Sequence, residues 1–212
     1  MMDIYQERYK AHIARKKAAI QHALDSTPKR KRKLPADHLA LVDAIEKRRS
    51  QRIFNDLRLS KLEMEYLCEA VRLAPSSCNR QAISVKITDD AGDRFHLSSM
   101  LVGGQDWMFR ATTVFLLFAD MAAYKSPAEV DFMPWLDAGF VAQNICLMAE
   151  AFSLGACFVN PNIRPKDKSQ FEELFNPRGL RFCGAVALGN YYERDAPAPK
   201  RPMHEIFYGG IE

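Results

Sequence analysis

The sequence predicts a domain that mixes helices with buried strands, on three observations. Apolar residues recur at helical spacing in several segments bounded by capping residues and prolines. Two short runs rich in β-formers are too apolar for any surface position. One long segment from about Pro134 is apolar around most of its circumference. The chain has 212 residues, 48% hydrophobic and 26% charged, enough for one sizeable core and a small appendage. No apolar run is long enough to span a bilayer, and the charged N-terminus lacks the apolar core of a secretion signal.

Residues 3–24 carry Tyr5, Tyr9, Ile13, Ile20 and Leu24 on one helical face. Pro28 and Pro35 then bracket five consecutive cations, Lys29 to Lys33, which reads as a solvated linker. The net charge of +4 is unevenly spread. Residues 1–35 hold ten Lys/Arg against three Asp/Glu, and the remainder is net acidic. The basic extension suits contact with nucleic acid or a membrane surface, but a solubilising tether is the favoured reading, since a charge run is usually only a wet face. The chain therefore divides into an extension over 1–36 and a folded domain over 37–212.

In that domain, Asp37 caps a helix carrying Leu41, Val42 and Ile45. Ser60 and Glu63 form a capping box for a helix that Pro75 terminates. Ile83, Val85 and Ile87 alternate with polar residues, as in a half-buried strand. Residues 112–119, TTVFLLFA, read as a central strand buried on both faces. The long helix from Pro134 runs through Trp135, Ala138, Val141, Ile145, Met148 and Phe152, with Gly155 as its left-handed cap. So much apolar surface must be buried on most sides, and one of those sides suits another subunit. A strand over 156–159, a helix over 166–175, a strand over 182–189 and a proline-rich tail follow.

Two polar segments carry the chemistry. Arg48-Arg49-Ser50-Gln51-Arg52 places three guanidiniums and a hydroxyl within five positions, and the planar fork of arginine matches a phosphate dianion. Pro75-Ser76-Ser77-Cys78-Asn79-Arg80-Gln81 is dense in short donors and acceptors that suit the rim of a heterocycle. A phosphate grip plus a ring-edge grip is what a mononucleotide cofactor needs. The competing readings are a basic helix end and ordinary turn chemistry. Five scattered cysteines without a Cys-x-x-Cys pair indicate reduced thiols in the cytoplasm and no zinc site. Cys78 is read as a small loop filler. The five histidines are dispersed, and neither a Ser-His-Asp set nor a metal-ligand spacing is present.

These segments, with Gln105-Asp106-Trp107, Asp137-Ala138-Gly139, Gln143-Asn144, Leu154-Gly155-Ala156 and Leu188-Gly189, resemble the nitroreductase family of FMN-dependent oxidoreductases over roughly residues 38–208. The resemblance implies an α+β fold, a mixed and largely antiparallel sheet flanked by helices, in an intertwined homodimer with FMN at the subunit interface. It implies that Arg48 and Ser50 hold the phosphate and ribityl chain, with Arg52 near the pyrimidine edge; Arg49 belongs to the same cofactor-binding cluster or faces solvent. Pro75, Ser76, Ser77, Asn79 and Gln81 then line the flavin rim, with Pro75, Ser76 and Asn79 reaching the flavin bound mainly by the other subunit. Val159 and Asn160 lie at its N5 edge, and Lys200 or Arg201 completes the phosphate grip. No side chain is itself catalytic, because NADH or NADPH passes hydride to flavin N5 and a nitroaromatic, quinone or similar small acceptor removes it.

The chain departs from the family pattern at Ala82-Ile83 (often Pro-Trp), at Gly104 and Trp107 (an asparagine and a lysine in some members) and at Pro161 (commonly glycine). Pro161 has no N–H to donate. Tyr124–Pro134 is short, so the substrate lid is expected to be reduced. Two alternatives follow: a flavin-binding protein with little turnover, and an adaptor that uses its basic extension.

Overall fold

The computed structural model describes residues 36–207. The readings for residues 3–24 and 28–35 fall outside them. The described chain forms one unit over Ala36–Arg194 and a separate tail unit from Asp195 onward. The tail carries one helical turn, Met203–Ile206, and its Lys200 and Arg201 are exposed.

The first unit is built on a four-stranded sheet in the order β1 (Ile83–Thr88), β2 (Thr113–Ala119), β4 (Arg181–Gly189) and β3 (Gly155–Val159). Every neighbouring pair is antiparallel, so the expected mixed sheet reduces to one parallel bridge between Ser50 and Ala156 at the β3 edge. β2 is buried at all seven positions because both faces are covered. Phe115, Leu117 and Ala119 enter one core, with Ala138 and Ile145 of the long helix. Val114, Leu116 and Phe118 enter another, with Leu97, Met100, Phe171 and Phe175. Alternation along a strand assigns these sets to opposite faces. Each large side chain so buried contributes about 1.5–3 kcal/mol.

Helices α1 (Ala36–Lys47), α2 (Lys61–Arg72) and α4 (Pro127–Ala151) belong to the first face. Helices α3 (Ala91–Met100) and α5 (Lys168–Phe175) belong to the second. The Ser60/Glu63 capping box of α2 forms as expected. α3, capped by the Asp90 carboxylate accepting from the Asp93 N–H at 2.9 Å, has no counterpart in the sequence reading.

Two expectations are corrected. α4 begins at Pro127, where Ser126 and Glu129 form a second capping box, and Pro134 lies inside it. Proline ordinarily ends a helix by leaving the carbonyl four residues back without its donor. Here that carbonyl, of Val130, accepts from the Arg181 guanidinium at 2.6 Å. The segment 127–133, expected to precede the helix, is thus two helical turns. At the other end of α4 the left-handed residue is Ser153 (φ 56°), not Gly155. The Ser153 and Leu154 N–H groups donate to Glu150 and Ala149 at 3.0 and 2.8 Å, a Schellman closure.

Gly155 meets a different demand. A Cβ there would lie 2.6 Å from Gln51 Cγ, so its absence lets residues 48–52 approach β3. Gly184 (φ 133°) sits at the irregularity in the β2–β4 register, where a Cβ would meet the Phe158 ring at 2.5 Å.

Candidate functional site

Residues 48–52 leave α1 and run along the open edge of β3. Ser50 pairs with Ala156, and the Gln51 N–H donates to the Ala156 carbonyl at 3.0 Å. Gln51 is buried, and its amide donates to the Ile53 and Glu193 carbonyls at 3.1 and 2.9 Å. An extended segment alternates its faces, so with Gln51 turned inward, Ser50 is exposed and Arg52 half-buried. The strip is a backbone-anchored rail that turns Ser50 and Arg52 outward and Gln51 inward.

Arg52 lies over the Trp107 ring, 5.7 Å from its centroid. Phe54 stacks on Trp107 at 6.3 Å, and the indole N–H donates to the Gly103 carbonyl at 2.9 Å. A Cβ on Gly103 would touch Val159 and Asn160 at 3.3 and 3.7 Å. The Val102 N–H donates to the Asn162 carbonyl at 2.9 Å. Arg52, Trp107, Gly103, Val159 and Asn160 therefore form one continuous rim at the end of β3. In the sequence Trp107 stands out as part of the Gln105-Asp106-Trp107 segment and as a departure from the family pattern, and nothing there announces its contact with Arg52.

Arg48 and Arg49 are half-buried and differ in surroundings. The Arg48 charge is felt by the Cys146 thiol, which burial pushes up to about 12. Burial, together with neighbouring Arg194, lowers the Arg49 guanidinium from its ordinary value, and Glu150 opposes the shift. Arg194 pairs with Glu150 and donates to the Lys47 carbonyl at 2.6 Å. The end of α1 is thereby tied to the end of α4, and Arg49 lies among these charges rather than facing open solvent.

The second segment stands elsewhere on α4. α2 ends at Arg72, three residues short of Pro75. Ser77–Asn79 then form one tight turn. Cys78, Asn79 and Gln81 all have φ near +50°. The Ser76 hydroxyl accepts from the Gln81 N–H at 2.9 Å. Arg80 reaches Glu129 at 3.1 Å and the Ser77 hydroxyl at 3.2 Å. The Ser77 N–H donates to Asp137 Oδ1 at 2.9 Å, and the Tyr124 hydroxyl donates to Asp137 Oδ2 at 3.0 Å. Asp137 is 1% exposed. Burial, then the Asp137 carboxylate, hold the Tyr124 phenol above its ordinary value. Pro75, Asn79 and Gln81 remain exposed, and Ser76 and Ser77 are half-buried. The sequence marks Asp137 only as part of the Asp137-Ala138-Gly139 segment and gives neither it nor Tyr124 a role; the available signal was one carboxylate within an apolar helical run.

The two segments do not converge within one chain. One is anchored at Asp137 and the other beside Glu150, thirteen residues further along α4, about 20 Å of helical rise. Lys200 and Arg201 lie in the tail unit. Among the described residues no group of three or more His, Cys, Asp or Glu is placed to hold a metal ion, and no helix is long and apolar enough to cross a membrane.

An antiparallel sheet covered by helices, with a basic rail at one edge and a polar loop pinned to the long helix, makes an α+β domain with two separated polar segments. The profile described as the Nitroreductase family matches residues 45–99 and 88–190, and the chain belongs to that family. It is similar to "FMN reductase [NAD(P)H]" of Bacillus subtilis (strain 168), 26% identical over 180 residues, covering 78% of this chain and 72% of the relative. It is also similar to "FMN reductase (NADPH)" of the same organism, 24% identical over 181 residues, covering 79% of this chain and 72% of the relative. Among solved structures it resembles one from Desulfovibrio desulfuricans, described as a nitroreductase in complex with FMN. The TM-score is 0.70 at 25% identity, covering 81% of this chain and 97% of that one.

Proposed function

We propose that the chain is an FMN-dependent oxidoreductase that draws on NADH or NADPH, reduces a nitroaromatic, quinone or similar small acceptor, and works as a homodimer in the cytoplasm. The observation that carries this reading is the rail of residues 48–52, pinned along β3 with Ser50 and Arg52 turned outward, in a family that includes FMN reductases. The donor set suits the anionic end of the cofactor. Guanidiniums and a hydroxyl on one extended strip match a phosphate dianion, and Gly103 leaves room for the chain to close beside Val159 and Asn160.

When bound, FMN supplies two-electron transfer between NAD(P)H and the acceptor. Arg48 and Ser50 grip the phosphate and ribityl chain, and Lys200 or Arg201 adds a cation. Arg49 helps to balance charge at the end of α1. Arg52, held over Trp107, brings positive charge to the pyrimidine edge and favours a reduced, anionic ring. Val159 and Asn160 border the N5 side. Pro75, Ser76 and Asn79 come from the second copy, and Ser77 and Gln81 of the same loop complete the flavin rim.

Two features support the dimer. The rail and the loop stand about 20 Å apart along α4 in one chain. α4 also exposes Phe132, Trp135, Leu136 and Phe140, an apolar stripe of a kind that marks an interface. Free thiols at all five cysteines fit a reducing compartment. The domain over 37–212 carries this activity, and the basic extension over 1–36 acts as a solubilising tether.

The test is flavin content and reduction. Purified full-length protein should carry one FMN per chain, run as a dimer, lose its yellow colour anaerobically with NADH or NADPH, and regain it with a quinone. Colour that persists in the presence of both nucleotides would instead support a flavin-binding protein without turnover, the reading that Trp107 and Pro161 favour. Colourless protein that ignores added FMN would end the flavin reading.

A further inference from the structure

The Pro75–Gln81 loop concentrates backbone strain. Five non-glycine residues with positive φ occur among the described residues, and three of them, Cys78, Asn79 and Gln81, lie within four positions. Such conformations persist only where the surroundings over-determine them, and they cluster where a side chain must be presented in one orientation. Here Ser76 Oγ closes on the Gln81 N–H, Arg80 bridges Ser77 Oγ and Glu129, and Asp137 takes the Ser77 N–H.

Asp137 is the unusual member of that set. It sits in the middle of α4, 1% exposed, among the buried Pro134, Ala138, Val141 and Ala142. Helix packing alone would be served by an apolar side chain there, since a buried carboxylate is costly unless its oxygens are hydrogen-bonded. Both are: Oδ1 accepts from the loop backbone, and Oδ2 accepts from the Tyr124 hydroxyl. The carboxylate thus joins the loop to a buried phenol with defined geometry on each side.

We infer that Asp137, buttressed by Tyr124, is a positioning residue that sets the angle at which Ser76, Asn79 and Gln81 meet the rim of the flavin held by the second copy. Neither side chain touches the cofactor. Asp137 fixes the Ser77 N–H, and the strained turn carries that constraint to the exposed Asn79 and Gln81. The inference rests on the flavin reading above.

Full-length Tyr124→Phe and Asp137→Asn proteins are to be stripped of flavin and titrated with FMN, with thermal unfolding of the apoproteins recorded beside the titration. Tyr124→Phe keeps the ring and removes only the hydroxyl. It should stay folded, bind FMN on the order of tenfold more weakly, and shift the visible spectrum of the bound flavin. Asp137→Asn should weaken binding further. A merely structural role predicts lower unfolding temperatures with wild-type FMN affinity and spectrum in whatever folds, and that result in Tyr124→Phe alone overturns the inference. Failure of the wild-type protein to bind FMN would overturn the flavin reading and this inference together. Wild-type binding with an unchanged Tyr124→Phe overturns only the inference.

Discussion

The guanidinium of Arg181, at the start of β4, donates at 2.6 Å to the Val130 carbonyl, which Pro134 leaves without its helical partner. A tertiary contact fifty-one residues away thus repairs the interruption that a proline makes inside α4. The same guanidinium lies over the Trp135 ring at 6.0 Å, so its position is held from two sides.

Arg181→Met should therefore destabilise the protein by about 1–3 kcal/mol, the cost of stranding a partly buried carbonyl. In a Pro134→Ala background, the alanine N–H restores the donor and the same change should cost clearly less. Urea unfolding of the four proteins gives the coupling directly. Equal costs in both backgrounds would mean that Arg181 acts through Trp135 alone.

Gly155 makes a second prediction. Its missing Cβ faces Gln51 Cγ at 2.6 Å, and Gln51 cannot withdraw because its amide is tied to the Ile53 and Glu193 carbonyls. Gly155→Ala should cost about 1–3 kcal/mol through overpacking. It should also displace residues 48–52 from β3 and weaken FMN binding by more than tenfold. Calorimetry and a flavin titration read the two effects separately. A loss of stability with no loss of affinity would detach the rail from cofactor binding.

The same pair shows what could be read from the chain. The Ser60/Glu63 capping box and the run TTVFLLFA were legible because their determinants are local: three residues of spacing in one case, continuous apolarity in the other. The start of α4 was not, because proline reads as a boundary and the repair by Arg181 is tertiary. Gly155 was assigned to a cap because glycine is the usual left-handed residue there. Ser153 takes that conformation instead, and Gly155 answers to Gln51, 104 positions away. α3 went unread because its apolar positions, Phe95, Leu97 and Met100, form no long periodic stripe. At the site, arginine clustering exposed residues 48–52. The Tyr124–Asp137–Ser77 chain joins residues up to 60 positions apart, and no local pattern announces it.

Arg48 and Arg52 should separate when mutated. Assigned to the phosphate, Arg48 should give the wild type a preference for FMN over riboflavin, and Arg48→Ala should reduce that preference about tenfold, as loss of one charge-assisted contact does. Arg52 stands on Trp107 beside the rim formed by Gly103, Val159 and Asn160. Arg52→Ala should leave the FMN-to-riboflavin ratio near that of the wild type and lower the reduction potential of the bound flavin, because a cation near the ring favours its anionic reduced form. Competitive titration and spectroelectrochemistry distinguish the two. An unchanged ratio in Arg48→Ala would place the phosphate elsewhere.

Thiol chemistry and alkaline stability supply the last prediction. Cys146 and Cys183 are buried, and burial pushes their thiols up to about 12 and about 11 from a usual value near 9. Cys157 is buried as well, while Cys68 and Cys78 are exposed. A charged disulfide reagent at neutral pH should therefore modify two thiols quickly and the other three only on unfolding. Raised values in the folded state mean that the unfolded chain releases these protons first. The stabilisation is fully present below about pH 9 and is lost progressively as pH rises toward 11–12, with a slope of at most about 1.4 kcal/mol per pH unit for each group. Tyr124, also raised by burial, adds to the loss at the upper end of that window. Urea midpoints measured from pH 8 to pH 11 should fall steadily, and Cys146→Ala should flatten the fall relative to its own value at pH 8. An unchanged slope in that variant would show that the Cys146 thiol titrates alike in the folded and unfolded chain.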